Sequence, residues 1–187
     1  MVSSSEAFPR RRIAWVLVAI GLATSPAVAE SRSQVVQVQT AFATDGAHPG
    51  STAKAAVVVQ ISPGFHINDH KPTLDYLIPT ELKLEPVKQV SVAKLVYPKG
   101  ELKRFAFSDT QLSVYEGTLA VGALLKIAPT ARPGTYTVKG SLAYQACNDH
   151  ACLPPTSVPV KLAVKVFSRG TPLKRGNEDV FSSIGFD

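Results

Sequence analysis

Two cysteines carry the most evident chemistry in this sequence, because Cys147 and Cys152 are the only thiols in its 187 residues. A fully extended chain would hold their Cα atoms roughly 16 Å apart, whereas a disulfide requires about 4.4–6.8 Å. If they pair, the chain must turn between them, where Asn148 and Asp149 are residue types that tolerate a tight turn. The double proline that follows cannot pair normally in a sheet. We therefore predict a strand, a tight redox-capable loop (the cysteine loop, residues 147–152) and an irregular exit.

Three uses of the cysteine loop remain open from the residues alone. As a structural staple, a disulfide closing so short a loop would contribute only about 2 kcal/mol, because it restricts the unfolded chain little. As a redox couple, the same pair would exchange with the thiols of other proteins. As a metal site, Cys147, His150 and Cys152 would need His66 or His70 as a fourth ligand, and this spacing matches no zinc pattern closely.

Around the loop, apolar and polar residues alternate with a period of two, which is typical of half-buried antiparallel strands. The clearest alternating positions are Val57, Val59 and Ile61; Leu119, Val121, Ala123, Leu125 and Ile127; Tyr136, Val138, Leu142 and Tyr144; and Val158, Val160, Leu162, Val164 and Val166. Weaker strands are predicted at 34–42, 80–85, 89–97 and 111–116, with turn signals between them. Seven or eight short strands at this spacing predict an all-β fold, an immunoglobulin-like antiparallel β-sandwich with the cysteine loop at one end.

This sandwich is expected to occupy residues 30–167 as one domain. The tail from 168 to 187 is expected to be either a single helical turn or disordered, and we assign it no function.

The first residues predict export. Arginines at 10–12 precede an apolar run at 13–23, and Ala27-Val28-Ala29 forms a small-x-small cleavage pattern before Glu30. Because the run falls short of the roughly 20 residues that span a bilayer, we predict a cleaved signal peptide over 1–29 and no membrane-spanning segment. An oxidising compartment suits a cysteine pair. Without residues 1–29 the net charge falls from +6 to +4, which is mildly basic and dispersed, so nucleic-acid binding is not supported.

The run from Tyr144 to Pro155, Tyr-Gln-Ala-Cys-Asn-Asp-His-Ala-Cys-Leu-Pro-Pro, resembles the signature of a known family. That family is the periplasmic N-terminal domain of the thiol:disulfide interchange protein DsbD, also called the disulphide bond corrector family. The upstream Pro63-Gly-Phe-His-Ile-Asn68 is similar to the same family's first-loop motif, and the resemblance covers most of residues 35–166.

The resemblance implies that Cys147 and Cys152 are a redox pair, and that Cys152 is the sulfur joined to a partner in the mixed disulfide. Its implied activity is that of a protein-disulfide reductase in the periplasm, acting without a cofactor or metal. The implied partners are thioredoxin-like or disulfide-isomerase-type proteins. The full-length parent's membrane and C-terminal thioredoxin-like domains have no counterpart in this sequence, so the direction of electron flow stays open.

Other residues would modulate the pair. A protonated His150 would favour a thiolate and Asp149 would oppose it, and Tyr144 leads into the loop. The resemblance also implies an aromatic cap that shields the pair until a partner docks. It corresponds here to the cap loop (residues 105–110), with Phe105 or Phe107 as the covering ring and Asp109 beside them.

Without the resemblance, both phenylalanines would be read as part of the sandwich core. Alternation over residues 102–107 places their rings on the same face of a strand. The competing hypothesis for the whole protein is an immunoglobulin-like binding or adaptor module whose disulfide is only structural. A redox potential separates the two hypotheses, because structural disulfides lie below about −300 mV.

Overall fold

The computed structural model describes residues 34–186. This part of the chain consists of antiparallel strands, with one short helix near its end. None of its helices has the length and apolar character needed to cross a bilayer. The predicted signal peptide and the predicted cleavage before Glu30 lie outside the described residues.

The strands of four or more residues agree with their predicted boundaries to within two residues. Their bounds, with that of the helix, are β1 (Val36–Phe42), β2 (Thr52–Ile61), β3 (His66–Asn68), β4 (Glu81–Glu85), β5 (Val90–Val96), β6 (Glu101–Lys103), β7 (Leu112–Tyr115), β8 (Thr118–Ile127), β9 (Gly134–Tyr144), β10 (Ala146–Cys147), β11 (Thr156–Val166) and α1 (Glu178–Ser182). The short strands β3 and β10 were not predicted, because two or three residues cannot display an alternating pattern.

Two antiparallel sheets form the sandwich, with strand orders β1-β2-β8-β5 and β11-β9-β4. Their alternating aliphatic side chains meet in one core cluster that draws on both sheets. In β11 the five predicted inward positions are at most 3% exposed, while the lysines between them are exposed. The prediction of an all-β, immunoglobulin-like β-sandwich is therefore confirmed.

The chain leaves the sandwich at Gln145. Up to Tyr144 it pairs with β11, whereas Ala146 and Cys147 pair with β3 in a separate sheet of order β10-β3-β7-β6 (the small sheet). A second apolar cluster belongs to this sheet and to the loops that join its strands. It is formed by Phe105, Leu112 and Val114, with Leu74 and Leu77 packed against them. The cysteines thus lie on the small sheet, which is attached to the rigid sandwich.

The expected strand over 102–107 is wrong beyond Lys103, where β6 ends. The chain turns instead, with the Ser108 amide donating to the Phe105 carbonyl at 3.1 Å. The Ser108 hydroxyl donates to the Thr110 carbonyl at 2.7 Å, so local side-chain bonds hold the cap loop in place of a ladder.

The C-terminal segment, for which a helical turn or disorder was expected, contains α1 and packs on the sandwich. The Lys174 amide donates to Asp45 Oδ1 at 2.9 Å, and the Asp45 amide donates to the Lys174 carbonyl at 3.0 Å. Further along, Ile184 and Phe186 lie so close to Gly122 of β8 that any Cβ there would collide with them. The segment therefore covers part of the sheet that contains β8.

Candidate functional site

The cysteine loop is closed by a disulfide and by the side chain of Asn148. Cys147 and Cys152 are bonded, and their Cα atoms lie 3.9 Å apart. Asn148 Oδ1 accepts hydrogen bonds from the backbone amides of His150 (2.9 Å) and Ala151 (2.8 Å). The Asn148 amide in turn donates to the Ala151 carbonyl at 3.0 Å. An asparagine at the start of the turn thus satisfies the backbone of the loop locally.

Beyond the loop, hydrogen bonds join the residue after Cys152 to the two residues before Cys147. The Leu153 amide donates to the Ala146 carbonyl at 2.8 Å, and Gln145 Nε2 donates to the Leu153 carbonyl at 3.2 Å. The loop is therefore a tight hairpin whose form depends on hydrogen bonds as well as on the S–S bond.

The two cysteines differ sharply in exposure. Cys147 belongs to β10 and is 3% exposed, whereas Cys152 is exposed on the outer side of the loop. A protein approaching from solvent therefore meets Cys152 first. Because thiol–disulfide exchange depends on access to the attacked sulfur, the two positions are chemically inequivalent.

His66 is the residue near the pair that sequence reasoning missed as part of a redox site. In the antiparallel pairing of β10 with β3, it lies directly opposite Cys147. It is 3% exposed, and its ring stacks on Phe105 with centroids 4.2 Å apart. The available signal was the first-loop motif at 63–68, which contains it.

The environment of His66 favours the neutral imidazole. Burial lowers the pKa of His66, and this outweighs the nearby carboxylates of Glu116 and Asp149, which raise it; the Lys103 ammonium lowers it further. Lys103 also forms an ion pair with Glu116 across the edge of the small sheet. A buried, neutral imidazole beside a cysteine can accept a proton.

The cap-loop rings continue the stack that starts at His66. Phe105 is 8% exposed and Phe107 is 52% exposed, and their rings stack with centroids 5.3 Å apart. Asp109 is exposed near the tip of the loop. The structure thus places Phe105 against His66, the cross-strand neighbour of Cys147. Phe107 stacks on Phe105 and is more exposed, and Cys152 is exposed in this disulfide-bonded state.

The three residues expected to modulate the pair occupy different surroundings. His150 and Asp149 are exposed in the turn, and the Asp149 carboxylate acts on His66. Tyr144 is 3% exposed and packs in the sandwich core. Burial raises the pKa of Tyr144, opposed by a hydrogen bond from the backbone of Val36, so this phenol stays protonated.

A buried carboxylate holds the small sheet together. Asp69, just after β3, accepts hydrogen bonds from the Tyr115 hydroxyl (2.5 Å), the Ser113 hydroxyl (2.7 Å) and the Gly100 amide (3.2 Å). Burial alone would raise the pKa of Asp69, but these bonds and one from the Lys71 amide lower it overall. At Gly100 a Cβ would strike the carboxylate, so glycine is required for this close approach.

The histidines proposed as additional metal ligands have other contacts. The His70 ring stacks on Tyr97 with centroids 3.6 Å apart, and His70 Nδ1 lies 3.1 Å from the Thr80 carbonyl. Among residues 34–186, no group of three or more His, Cys, Asp or Glu side chains is placed to hold a metal ion.

Exposed apolar side chains concentrate at this end of the molecule. In the described part of the chain, the large hydrophobic residues that are strongly exposed all lie in the small sheet or in loops joined to it. They are Tyr76, Ile78, Leu102, Phe107 and Leu153. Such a concentration is typical of a surface that binds another protein.

Comparison with solved structures gives related folds at low sequence identity. The N-terminal periplasmic domain of ScsB from Proteus mirabilis is 15% identical, with a TM-score of 0.53 over 80% of this chain and 54% of that chain, so the sequence spans about half of that structure's length. The reduced DsbD N-terminal domain from Neisseria meningitidis is 19% identical, with a TM-score of 0.41 over 74% of this chain and 88% of that chain. Comparison with curated protein sequences gives no match.

The family comparison covers the strands, the cysteine loop and the cap loop together. The model of the family described as thiol:disulfide interchange protein DsbD, N-terminal, matches residues 32–163. This range includes both cysteines, His66 and both cap phenylalanines. The chain therefore belongs to the DsbD N-terminal family of thiol:disulfide interchange domains.

Proposed function

We propose that this protein carries out thiol–disulfide exchange in the periplasm, passing electrons between exported thiol proteins through Cys147 and Cys152. The observation that carries the proposal is the unequal exposure of the two bonded cysteines, 3% for Cys147 against an exposed Cys152, in a preformed turn. A staple has no need of an accessible sulfur, whereas exchange requires one. Export rests on the residues at 10–29, and family membership supports the chemistry.

In the reduced protein, the Cys152 thiolate attacks one sulfur of a partner disulfide. This forms a mixed disulfide and releases the partner's other sulfur as a thiolate. Cys147 then loses its proton and attacks Cys152, which re-forms the intramolecular disulfide and releases the second partner thiolate. Two electrons pass to the partner, both partner sulfurs are protonated, and the reverse sequence oxidises a partner dithiol.

The proposed partners are thioredoxin-like or disulfide-isomerase-type proteins. The exposed Leu153 lies beside Cys152, and Phe107 and Leu102 are exposed on the small sheet and its cap loop. Apolar contacts around an accessible sulfur suit a partner whose own reactive cysteine lies on an apolar surface.

The cap function is assigned to Phe107, with Phe105 as its anchor. Phe105 is packed in the second apolar cluster and on His66, whereas Phe107 contacts the stack from outside. A half-exposed ring can move at little cost when a partner docks, and the residues that follow it are held by local hydrogen bonds.

The trapping experiment uses Cys147→Ala and Cys152→Ala as a matched pair. Cys147→Ala should accumulate a stable mixed disulfide with a thioredoxin-like protein that has a single active-site cysteine, activated as its nitrothiobenzoate disulfide, because neither protein then has a resolving thiol. Cys152→Ala should accumulate far less, because its remaining thiol is buried. Non-reducing electrophoresis and mass spectrometry measure both adducts, and equal trapping by the two variants would contradict the assigned roles.

The same variants separate exchange from a structural role. We expect Cys147→Ala to lose only about 2 kcal/mol of unfolding free energy, because the loop is short, and to remain folded at 37 °C. A redox potential below about −300 mV, with no reaction toward thioredoxin-like reductants, would favour an adaptor with a structural disulfide.

A further inference from the structure

We infer that His66 is the proton acceptor for the Cys147 thiol when that thiol resolves a mixed disulfide. The inference deepens the proposed exchange function and rests on it, since it concerns the step in which Cys147 attacks Cys152. It also concerns a residue on another strand, far from both cysteines in sequence.

The pairing of β10 with β3 carries the inference. Residues directly opposite each other in an antiparallel pair have Cβ atoms about 4.5–5.5 Å apart and point to the same face. Cys147 and His66 form such a pair. His66 is therefore a same-face neighbour of Cys147, and the backbone ladder that sets this spacing does not involve sulfur.

Burial explains why an acceptor is needed here. Cys147 and His66 are each 3% exposed, so water has little access to the thiol proton. A thiol in apolar surroundings resists ionisation. A neutral imidazole next to it can take the proton and then stabilise the thiolate as the imidazolium.

The charged groups around His66 are compatible with this role. Lys103 in β6, Glu116 after β7 and Asp149 in the cysteine loop all act on the ring. Burial dominates and keeps the pKa of His66 below its ordinary value, so the ring is neutral and able to accept at neutral pH. His150, although it lies between the cysteines in sequence, is exposed in the turn.

Phe105 fixes the orientation of the acceptor. Its ring stacks on the imidazole at 4.2 Å with an interplanar angle of 27°. The stack covers one face of His66 and limits its rotation, leaving the ring edge with its nitrogen atoms to meet neighbouring groups.

The proton and electron balance of the step is complete. Cys147 Sγ–H gives its proton to His66, and the resulting thiolate attacks Cys152 Sγ. The S–S bond between Cys152 and the partner breaks, and its electron pair leaves on the partner sulfur as a thiolate. His66 then returns the proton to that thiolate or to solvent, so His66 is regenerated in the neutral form.

The test follows the two steps separately with 5,5′-dithiobis(2-nitrobenzoate) as the probe. The fully reduced protein should release one nitrothiolate as Cys152 attacks, at a rate proportional to reagent concentration. It should release a second as Cys147 resolves the adduct, at a rate independent of reagent concentration. Stopped-flow absorbance resolves these phases.

We expect His66→Phe, which keeps a stacking ring, and His66→Gln to slow the second phase about tenfold at pH 7. The first phase should change less than about twofold. The deficit should shrink as the pH rises, because hydroxide then removes the Cys147 proton without a base from the protein. His48→Gln removes an imidazole from the turn before β2, outside the small sheet, and should change neither phase.

An unchanged second phase with an unchanged pH profile in both His66 variants would overturn the inference. Equal slowing of both phases at all pH values, together with lowered stability, would also overturn it, since that pattern indicates a structural role alone. The probe is a small molecule, so these results do not depend on any protein partner. If the reduced protein fails to reduce thioredoxin-like disulfides while the His66 effect persists, the proposed function fails and the inference stands.

Discussion

The sandwich and the small sheet bury different kinds of residue. The core between the two large sheets is built from aliphatic side chains and aromatic rings. Among the described residues, the four buried polar or charged side chains lie outside this core. His66 and Asn68 belong to β3, Asp69 follows it, and Thr80 donates a hydrogen bond to the Asn68 carbonyl. The sandwich is thus held by apolar burial. The small sheet also has apolar packing, since Ile67, Tyr115 and Ala146 belong to the main core, but it adds a carboxylate network and an aromatic stack.

This difference separates stability from chemistry. Apolar packing is insensitive to pH and redox state, so the sandwich can hold the site in place under changing conditions. Polar networks respond to protonation and solvent access, which suits the part of the molecule that we propose exchanges electrons. The two regions should therefore respond to different perturbations.

The largest effect is expected from Leu142→Ala in β9. Leu142 is fully buried and pairs with Val158 on one side and Leu82 on the other. The cavity should cost about 2–5 kcal/mol of unfolding free energy, measured by chemical denaturation. Both nitrothiolate-release phases should keep their rates in the folded fraction. A selective loss of the resolving phase would contradict the separation of the two regions.

A smaller and more local effect is expected from Asp69→Ala. The Ser113 hydroxyl and the Gly100 amide would lose their acceptor, while the Tyr115 hydroxyl would keep the Pro98 carbonyl. The unfolding free energy should therefore fall by about 1–3 kcal/mol, the cost of a buried group left unsatisfied. Hydrogen exchange should accelerate in β3 and β7 and much less in β2 and β8. Asp69→Asn keeps one carbonyl acceptor and should lose less. Uniform acceleration across both regions would show that the network supports the whole fold.

The pH dependence of stability should show the lowered pKa of His66. Folding lowers the pKa of His66 from its ordinary 6.5, so below pH 6.5 the unfolded chain binds the proton more readily and stability falls as the pH drops. Asp69 does not interfere, because its own lowered pKa confines its contribution to pH values below 3.8. Lowering the pH from 7.5 to 5.5 should reduce the unfolding free energy less in His66→Phe than in the unsubstituted protein, as measured by chemical denaturation. Parallel curves would contradict this assignment.

The smallest effect on stability is expected from Phe107→Ala, because a half-exposed side chain typically contributes within about 0.5 kcal/mol. Its effect should be kinetic: reduced Cys147 and Cys152 should react several-fold faster with a small oxidant. Phe105→Ala, at a ring 8% exposed, should instead cost about 3 kcal/mol. If Phe107→Ala is destabilised and its thiol reactivity is unchanged, Phe107 does not shield the cysteine pair.

The sandwich could be predicted from sequence because each long strand repeats the same alternation many times. Val158 to Val166 in β11 is the clearest case, and its inward residues are all buried. The tight turn at Asn148 was also predictable, since the residue type itself supplies the hydrogen bonds.

The surroundings of the cysteines could not be predicted in this way. His66 meets Cys147 only because β10, two residues long, pairs with β3 from another part of the chain. Likewise, β6 ends at Lys103, and the turn that follows at 105–110 is formed by local hydrogen bonds that alternation does not reveal. Short strands and long-range pairing leave no periodic signal, and both are concentrated in the small sheet.

The hairpin bonds around Asn148 have a consequence for the lifetime of any covalent complex. Because Asn148, Ala151 and Leu153 hold the turn by hydrogen bonds, breaking the S–S bond leaves the two thiols close together. One thiol then acts on the other at a very high effective concentration, and well-oriented intramolecular reactions can reach about 10⁵–10⁸ M. Cys147 would therefore release a partner joined to Cys152 before a competing thiol attacks the mixed disulfide, so the loop geometry favours complete two-electron transfer over long-lived adducts.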